Sequence, residues 1–413
     1  MEFSWNDEQR QGYQQARVFA GRELMPALEA GASESEWRER WRRCASFGVQ
    51  ALVIPASYGG LGLPVRSAVR VLEGLGQGTA DNGVLMALGA QLWSVGVPLA
   101  RFGSQEQQRT WLPALAQGAS LGAFALTEAE AGSDIFHLRT RAVAESGGFR
   151  LQGTKAFVTN APLADLFVVL AATDASAGYF GLTAFLLRRG MEGVELGPTL
   201  HKMGLETSPM AELRLNGVWV PREAVLGEVG GGSALLQHTL EWERGCLLAP
   251  APGTMARLLE QSTQHARERK QFGRPIIEFE AVAAQLAEMR LRLELSQLLL
   301  YRYAWLKDEG RPAAVEASMV KLYVSESLRR TAEIALHLHG AAGYCRELEY
   351  ERTWRDAMAS SLYSGTTEMQ HNLIAESLLR PAGAPLDAVA FGTRLGEVAP
   401  PGMPKARAEE ASR

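Results

Sequence analysis

Three stretches of this 413-residue chain carry side chains whose types and spacing could do chemistry. The run Phe124-Ala125-Leu126-Thr127-Glu128-Ala129-Glu130-Ala131-Gly132-Ser133-Asp134 begins apolar, as a buried strand does, and ends in small residues suited to a turn. Thr127 offers a hydroxyl where the strand stops. Gly132 and Ser133 leave backbone N–H groups open to close approach by an anion. Such a segment could hold a flat polar ring at one end and a phosphate at the other; it could equally be a plain hairpin tip. Leu240-Glu241-Trp242-Glu243-Arg244-Gly245 sets a carboxylate directly before a guanidinium, which is either a general base or a helix-surface ion pair. Arg267-Glu268-Arg269-Lys270-Gln271-Phe272-Gly273-Arg274-Pro275-Ile276 puts guanidinium forks, which suit phosphate geometry, at a charge-rich helix end.

A fourth stretch, Gly153-Thr154-Lys155-Ala156-Phe157-Val158-Thr159-Asn160-Ala161, follows the first after about thirty residues. Together the two runs resemble the flavin-binding segments of the acyl-CoA dehydrogenase family, L-T-E-P-x-A-G-S-D and then G-x-K-x-[WF]-[IV]-T-N, with Ala129 where proline is usual. The resemblance extends to about residue 380. It implies that Phe124, Leu126, Thr127 and the segment Phe157, Val158 and Thr159 contact the flavin of FAD. Gly132 and Ser133 would lie near the pyrophosphate and the thioester. By the same resemblance Arg269 and Phe272 serve the FAD of a neighbouring subunit. Glu280 stands after Phe279 where the family has glutamine, and cannot donate the amide hydrogen bond. His337-Leu338-His339-Gly340-Ala341-Ala342-Gly343-Tyr344 matches Q-x-x-G-G-x-G-[YF], so His337, Gly340 and Ala341 would form an ADP-facing loop. The H-x-H spacing comes with no further ligand motif, and no metal is expected. Thr366 and Glu368 would complete the flavin site at a helix start.

Desaturating an acyl thioester needs a base for the Cα proton, a hydride acceptor facing Cβ and donors for the thioester oxygen. No side chain accepts a hydride, so that role falls to the flavin. In much of the family the base is a glutamate just before Gly-Thr; here Tyr363-Ser364-Gly365-Thr366 puts Ser364 in that place. The isovaleryl-type branch carries its base in L-x-x-E-R, which Leu240–Arg244 resembles. Glu243 is therefore the expected base, with its pKa raised by apolar surroundings. Ser364 is expected to polarise the thioester carbonyl through its backbone N–H. Arg244 and Ser133 are expected on the substrate side, Arg244 by orienting a nearby loop. The carrier is coenzyme A or an acyl or peptidyl carrier protein; Ser364, His337 and Glu280 lean towards a specialised biosynthetic pathway. Electrons would leave through an electron-transfer flavoprotein or to oxygen. The same fold serves flavin-dependent oxidases, monooxygenases and non-catalytic flavoproteins.

These residues must be positioned by a chain of ordinary globular composition, 46% hydrophobic and 21% charged. The net charge of −4 predicts no nucleic-acid partner. Three widely spaced cysteines, Cys44, Cys246 and Cys345, fit a reduced, cytoplasmic setting. The acidic start has no signal-peptide pattern, and no apolar run reads as a membrane span. The order predicted is α+β, mostly α. An N-terminal helical domain spans 1–120, with a capping box at Ser104 and helical spacing over Trp37–Phe47. A middle antiparallel β domain spans 121–228, with strands at Phe149–Val158, Leu166–Ala171, Leu182–Leu187 and Leu213–Val220. A C-terminal four-helix bundle spans 229–381, with runs at 254–269, 281–307 and 313–339 and a closing helix over Thr366–Leu379. Pro250 and Pro252 should break or kink the helical stretch there. Residues 382–413, rich in Pro, Gly and Ala, read as a loosely attached tail. A FAD site shared between subunits implies a homodimer or homotetramer.

Overall fold

The computed structural model describes residues 4–25 and 32–379, so the expected tail lies outside the described residues. Six helices come first: α1 (Asp7–Glu23), α2 (Glu34–Phe47), α3 (Val65–Gly78), α4 (Asn82–Gln91), α5 (Val97–Phe102) and α6 (Gln105–Ala116). Trp37, Trp41 and Cys44 form the buried stripe of α2, and capping boxes at Asn6, Ser33 and Ser104 satisfy the first N–H groups of α1, α2 and α6. The stretch Ile54–Gly62 is a turn between packed helices, with Tyr58 donating to Gln108 at 2.6 Å. Between α4 and α5 the helix does not stop. Leu92–Gly96 continues it as a single π-helical turn, all five residues buried. The joined stretch Asn82–Phe102 is long and apolar enough to cross a membrane, contrary to the expectation from sequence, but 78% of its most apolar window is buried within the chain. Its apolar character is that of a core helix.

The middle region is one sheet: β1 (Gly122–Ala125), β2 (Arg141–Glu145), β3 (Gly148–Thr159), β4 (Leu166–Ala172), β5 (Leu182–Arg188), β6 (Val194–Leu196), β7 (Met210–Pro221) and β8 (Val225–Leu226). The strands run in the order β6-β7-β3-β2-β4-β5-β8, with β1 added beside β4. Most pairings are antiparallel, as expected. β4 is the exception, since β1 and β2 both run parallel to it. It is buried on both faces: Phe167, Val169 and Ala171 join one apolar cluster and Leu166, Val168 and Leu170 another. That is why its sequence is a continuous apolar run.

Four long helices follow: α7 (Gly232–Cys246), α8 (Ala251–Glu268), α9 (Glu280–Asp308) and α10 (Ala314–Tyr344). Between α8 and α9, β9 (Lys270–Gln271) and β10 (Arg274–Pro275) make a small hairpin, and α11 (Tyr350–Ala359) and α12 (Thr367–Leu379) close the bundle. Pro250 and Pro252 sit at the cap and first turn of α8, where a missing N–H costs nothing, so they mark the break between α7 and α8. α10 is interrupted at Gly340 (φ 60°, ψ −137°), a conformation that needs glycine.

Polar contacts lock the sheet to both helical layers. Trp37 Nε1 donates to the Thr207 carbonyl at 2.8 Å, and Asn160 Nδ2 donates to the Ala87 and Gly122 carbonyls at 3.0 and 3.3 Å. Buried Asp356 accepts from the Leu205 N–H at 2.5 Å and Asn82 Nδ2 at 3.2 Å. α3 is wedged between α1 and α8 through glycines. A Cβ on Gly76 would sit 1.9 Å from the Pro250 carbonyl oxygen, and one on Gly253 would sit 1.9 Å from that of Glu73. Because backbone meets backbone there, a methyl cannot be absorbed by a rotamer change. Gly76→Ala should lose about 1–3 kcal/mol of stability, read as a lower midpoint in chemical unfolding with an unchanged denaturant slope.

Candidate active site

A cavity of ≈170 Å³ lies where α4, the π-helical turn, the C-terminal ends of β1 and β3, α7 and the loop before α12 meet. On α7 the positions 236, 240, 243 and 247 fall on one helical stripe; three are leucines and the fourth is Glu243. An acid therefore takes an apolar position, and only 8% of the residue stays exposed. Its two oxygens are held by two serines. Ser94 Oγ donates to Oε1 at 2.5 Å and Ser364 Oγ donates to Oε2 at 2.6 Å.

Burial pushes the Glu243 carboxyl above the usual carboxylate range. The hydroxyls of Ser364 and Ser94, and the charges of Arg244 and Lys321, pull part of the way back. Burial also draws the Arg244 guanidinium down to about 10 and the Lys321 ammonium down to about 7; in both cases the Glu243 carboxylate opposes it. Lys321 Nζ donates to the Ser360 carbonyl and lies 5.1 Å from the Tyr363 ring centroid.

Ser364 is fixed by its backbone. It adopts φ 54°, and its carbonyl accepts from Arg244 Nε at 3.2 Å and from Gln370 Nε2 at 3.3 Å. Gln370 also donates to the Gly365 carbonyl at 3.0 Å. The Ser364 N–H has no acceptor among the described residues.

The sheet supplies the opposite wall. Between Lys155 and Val158 the β3–β7 register shifts, and this bulge carries Phe157 at φ 55°. The bulge turns the ring out of the sheet, 61% exposed, so that it lines the cavity. Val158 points the other way into the core, 2% exposed, and does not line the cavity. Phe124, Leu126, Thr127, Gly132, Ser133 and Thr159 do line it. The hydroxyls of Thr127 and Thr159 have no partner among the described residues. Glu128 and Ala131 exchange backbone hydrogen bonds at 3.1 and 3.2 Å around Ala129-Glu130, so the expected turn is a two-residue one. Beneath it Glu128 accepts from the Arg139 and Thr140 N–H groups at 2.6 and 3.0 Å and from Lys155 Nζ at 2.7 Å, while Lys155 also donates to the Leu126 carbonyl at 2.9 Å. Burial draws fully buried Lys155 down to about 8 against the pull of Glu128.

A second cavity of ≈620 Å³ adjoins the first, sharing Thr127, Ser133, Phe157, Thr159 and Ser364 and adding Lys202, Arg355 and Thr366. Thr366 Oγ1 accepts from the Met369 N–H at 3.4 Å at the head of α12, beside exposed Glu368. The remaining expected residues are elsewhere. Arg269, Phe272, Glu280, His337, Gly340 and Ala341 are all exposed, and none lines either cavity. His339, by contrast, is buried and stacks on Tyr350 at 3.8 Å. No group of three His, Cys, Asp or Glu side chains that could hold a metal comes together among the described residues.

The family models for the N-terminal, middle and C-terminal domains of acyl-CoA dehydrogenase match residues 6–119, 123–218 and 230–379 in turn. The chain belongs to the acyl-CoA dehydrogenase family. It is 36% identical to the L-prolyl-[peptidyl-carrier protein] dehydrogenase of Pseudomonas fluorescens over 92% of this chain and all of that one. It is 34% identical to the human mitochondrial short-chain specific acyl-CoA dehydrogenase over 89% of each. Among solved structures, the prolyl acyl carrier protein oxidase AnaB is 42% identical with a TM-score of 0.88, covering 91% of this chain and all of that one. As a member of this family the chain is an FAD-dependent oxidoreductase acting on acyl thioesters.

The residues present fit that cofactor. Two threonine hydroxyls and an exposed phenylalanine face line a cavity beside the Ser364 N–H, none of these polar groups having a partner among the described residues, which suits a ring with an apolar face and a polar edge. The adjoining cavity, with its hydroxyl, ammonium and guanidinium groups, suits the polar remainder.

Sequence reasoning missed Ser94, Gln370, Lys321 and the Glu128–Lys155 pair. The last stood in both motifs, and a signal existed: an acid and a base embedded in apolar runs must find each other. Lys155→Met would strand the Glu128 carboxylate in the interior and should cost about 3–5 kcal/mol in chemical unfolding. Glu243 gives the opposite sign. Its folded pKa is raised above the unfolded one, so its contribution to stability is favourable at low pH and is lost as pH rises through the folded pKa. Glu243→Gln should therefore match the parent near pH 4.5 and melt at a higher temperature than the parent near pH 8.

Proposed function

We propose that the chain oxidises an aminoacyl group, prolyl or closely similar, held as a thioester on a carrier protein, with Glu243 as the base. The single observation that carries this reading is the Glu243 carboxylate, buried at the cavity and facing Ser364 at the position where much of the family has its base. The carrier is argued from two sides. Relatives at 36% and 42% identity are named for prolyl groups on carrier proteins, and the cavity mixes three serine and two threonine hydroxyls with its apolar lining.

The chemistry follows from the positions. Glu243 Oε2 takes the Cα proton, and the electrons of the broken C–H bond pass towards the thioester carbonyl. The free N–H of Ser364 donates to that oxygen as its charge grows. Bound FAD supplies the acceptor for the hydride from Cβ, so the product is the α,β-unsaturated thioester. Thr127, Thr159, Phe157, Leu126 and Phe124 would hold the flavin ring. Val158 would add only its backbone. Ser133 would meet the thioester, and Arg244 acts by holding the Ser364 carbonyl. The raised pKa of Glu243 suits it to accept a proton from carbon near neutral pH.

The same reading assigns the outlying residues to assembly. Phe272 is 94% exposed at φ 50° on the β9–β10 turn, beside Arg269. A bulky ring displayed this way fits a subunit contact, and a homodimer or homotetramer would bring Arg269, Phe272, Glu280, His337, Gly340 and Ala341 to a neighbour's FAD. A cytoplasmic setting goes with the free thiols Cys44, Cys246 and Cys345.

Two measurements test the proposal. Under anaerobic conditions a prolyl-carrier thioester should bleach the flavin at least tenfold faster than butyryl-CoA; the reverse order would move the chain to coenzyme A substrates. Glu243→Gln should retain FAD and reduce it at least ~10³-fold more slowly. Hydrogen peroxide yield in air then distinguishes oxygen from an electron-transfer flavoprotein as acceptor.

A further inference from the structure

We propose that Ser94, carried on the π-helical turn between α4 and α5, is the positioning residue of the base: it anchors Oε1 of Glu243 so that Oε2 is the oxygen presented to the substrate proton. This rests on the reading of Glu243 as the base.

Four features of the structure converge on Ser94. Ser94 is buried, 3% exposed, and its hydroxyl donates to Glu243 Oε1 at 2.5 Å. It belongs to the one π-helical turn among the described residues, and such turns recur at functional sites because the extra residue re-aims the side chains around it. Here the turn sends Ser94 towards Glu243 while Val95 packs on the sheet. A Cβ on Gly122 would lie 2.7 Å from Val95 Cγ1. The preceding residues register the two segments. Trp93 stacks on Trp242 with ring centroids 5.6 Å apart and planes within 8°, so the residue before Ser94 is keyed to the residue before Glu243. Finally, the two serines are not equivalent. Ser364 lines both cavities, whereas Ser94 lines only the one that holds Glu243. Proton transfer to Oε2 requires the Ser364 hydroxyl to give way, and Ser94 is the donor that can stay.

The ionisable groups facing Glu243 are Arg244 on its own helix, Lys321 on α10 and Tyr363 on the loop before α12. The cavity-lining residues from the sheet, α4 and the π-helical turn carry no ionisable group. A change at Ser94 therefore acts on Glu243 without removing a charge. A hydroxyl donating to the carboxylate favours its ionised form, so its loss moves the carboxyl further up.

The test is single-turnover flavin reduction by the thioester substrate, followed against pH in the holoenzyme. Ser94→Ala should slow reduction at neutral pH roughly 10- to 100-fold, the rate equivalent of one hydrogen bond to a charged group. Its acid limb should move roughly one pH unit upward, so that the rate recovers partly in alkali. Substrate affinity and FAD content should stay close to those of the parent. Ser94→Cys, similar in shape with a weaker donor, should fall between the two. A Ser94→Ala enzyme with the parent's rate and acid limb overturns the proposal. So does one slowed equally at every pH with FAD lost, since Ser94 would then be a packing residue. If instead Glu243→Gln reduces flavin normally, it is the assignment of the base that fails.

Discussion

One buried carboxylate sets the terms for the rest of this molecule. An ionised acid removed from water costs several kcal/mol unless donors and counter-charges meet it. Glu243 is met by two hydroxyls on opposite oxygens and by Arg244 and Lys321 at longer range. None of those partners is local except Arg244. Ser94 comes from the first helical region, Lys321 from α10 and Ser364 from the loop before α12, so the charge is tolerable only once three parts of the chain have packed together. The contacts that lock the layers, from Trp37 to Thr207 and from Asn82 to Asp356, are thereby conditions for the chemistry as well as for the fold.

The sheet has a different task, to offer an uncharged wall. It does so with a bulge. In regular alternation Phe157 and Val158 would face opposite sides of an unbroken ladder. The irregularity at Lys155–Val158 lets Phe157 swing into the cavity at positive φ while Val158 keeps its place in the core. Beneath that wall the Glu128–Lys155 pair ties the end of the β1 segment to β3, and Glu128 also accepts from the backbone N–H groups of Arg139 and Thr140 just before β2. The threonine hydroxyls have no partner among the described residues, which is how a wall meant for a ligand differs from one meant only for packing.

Much of this was legible in the sequence, because periodicity and punctuation report local structure. The strands around 149–158 and 166–171 and the capping box at Ser104 were all visible, since each depends on neighbours along the chain. What could not be read were features set by tertiary contact. The parallel pairing of β1 and β2 with β4 has no local signature. The π-helical turn reads as ordinary apolar helix, Leu92-Trp93-Ser94-Val95-Gly96, because its register is decided by Trp242 and the sheet rather than by its own residues. Ser94 was invisible for the same reason: one serine in an apolar run says nothing until its partner 149 positions away is known. Glu243 was found through resemblance, yet a physical signal stood beside it in the leucine stripe that it interrupts.

That stripe also bears on the proposal that the base stands on α7 and not before the last helix. The Ser364 hydroxyl and the Glu243 carboxylate touch at 2.6 Å, so the two positions look at the same point in the cavity from opposite sides. A carboxylate at either one reaches it, but carboxylates at both would repel across a few ångströms in a medium that screens poorly. A chain with its acid on α7 is therefore driven to a neutral residue at 364, and a hydroxyl is the neutral residue that also donates. Ser364 is on this view the consequence of Glu243. Its backbone is held by Arg244 and Gln370 through the carbonyl, a hold that does not depend on which side chain it carries.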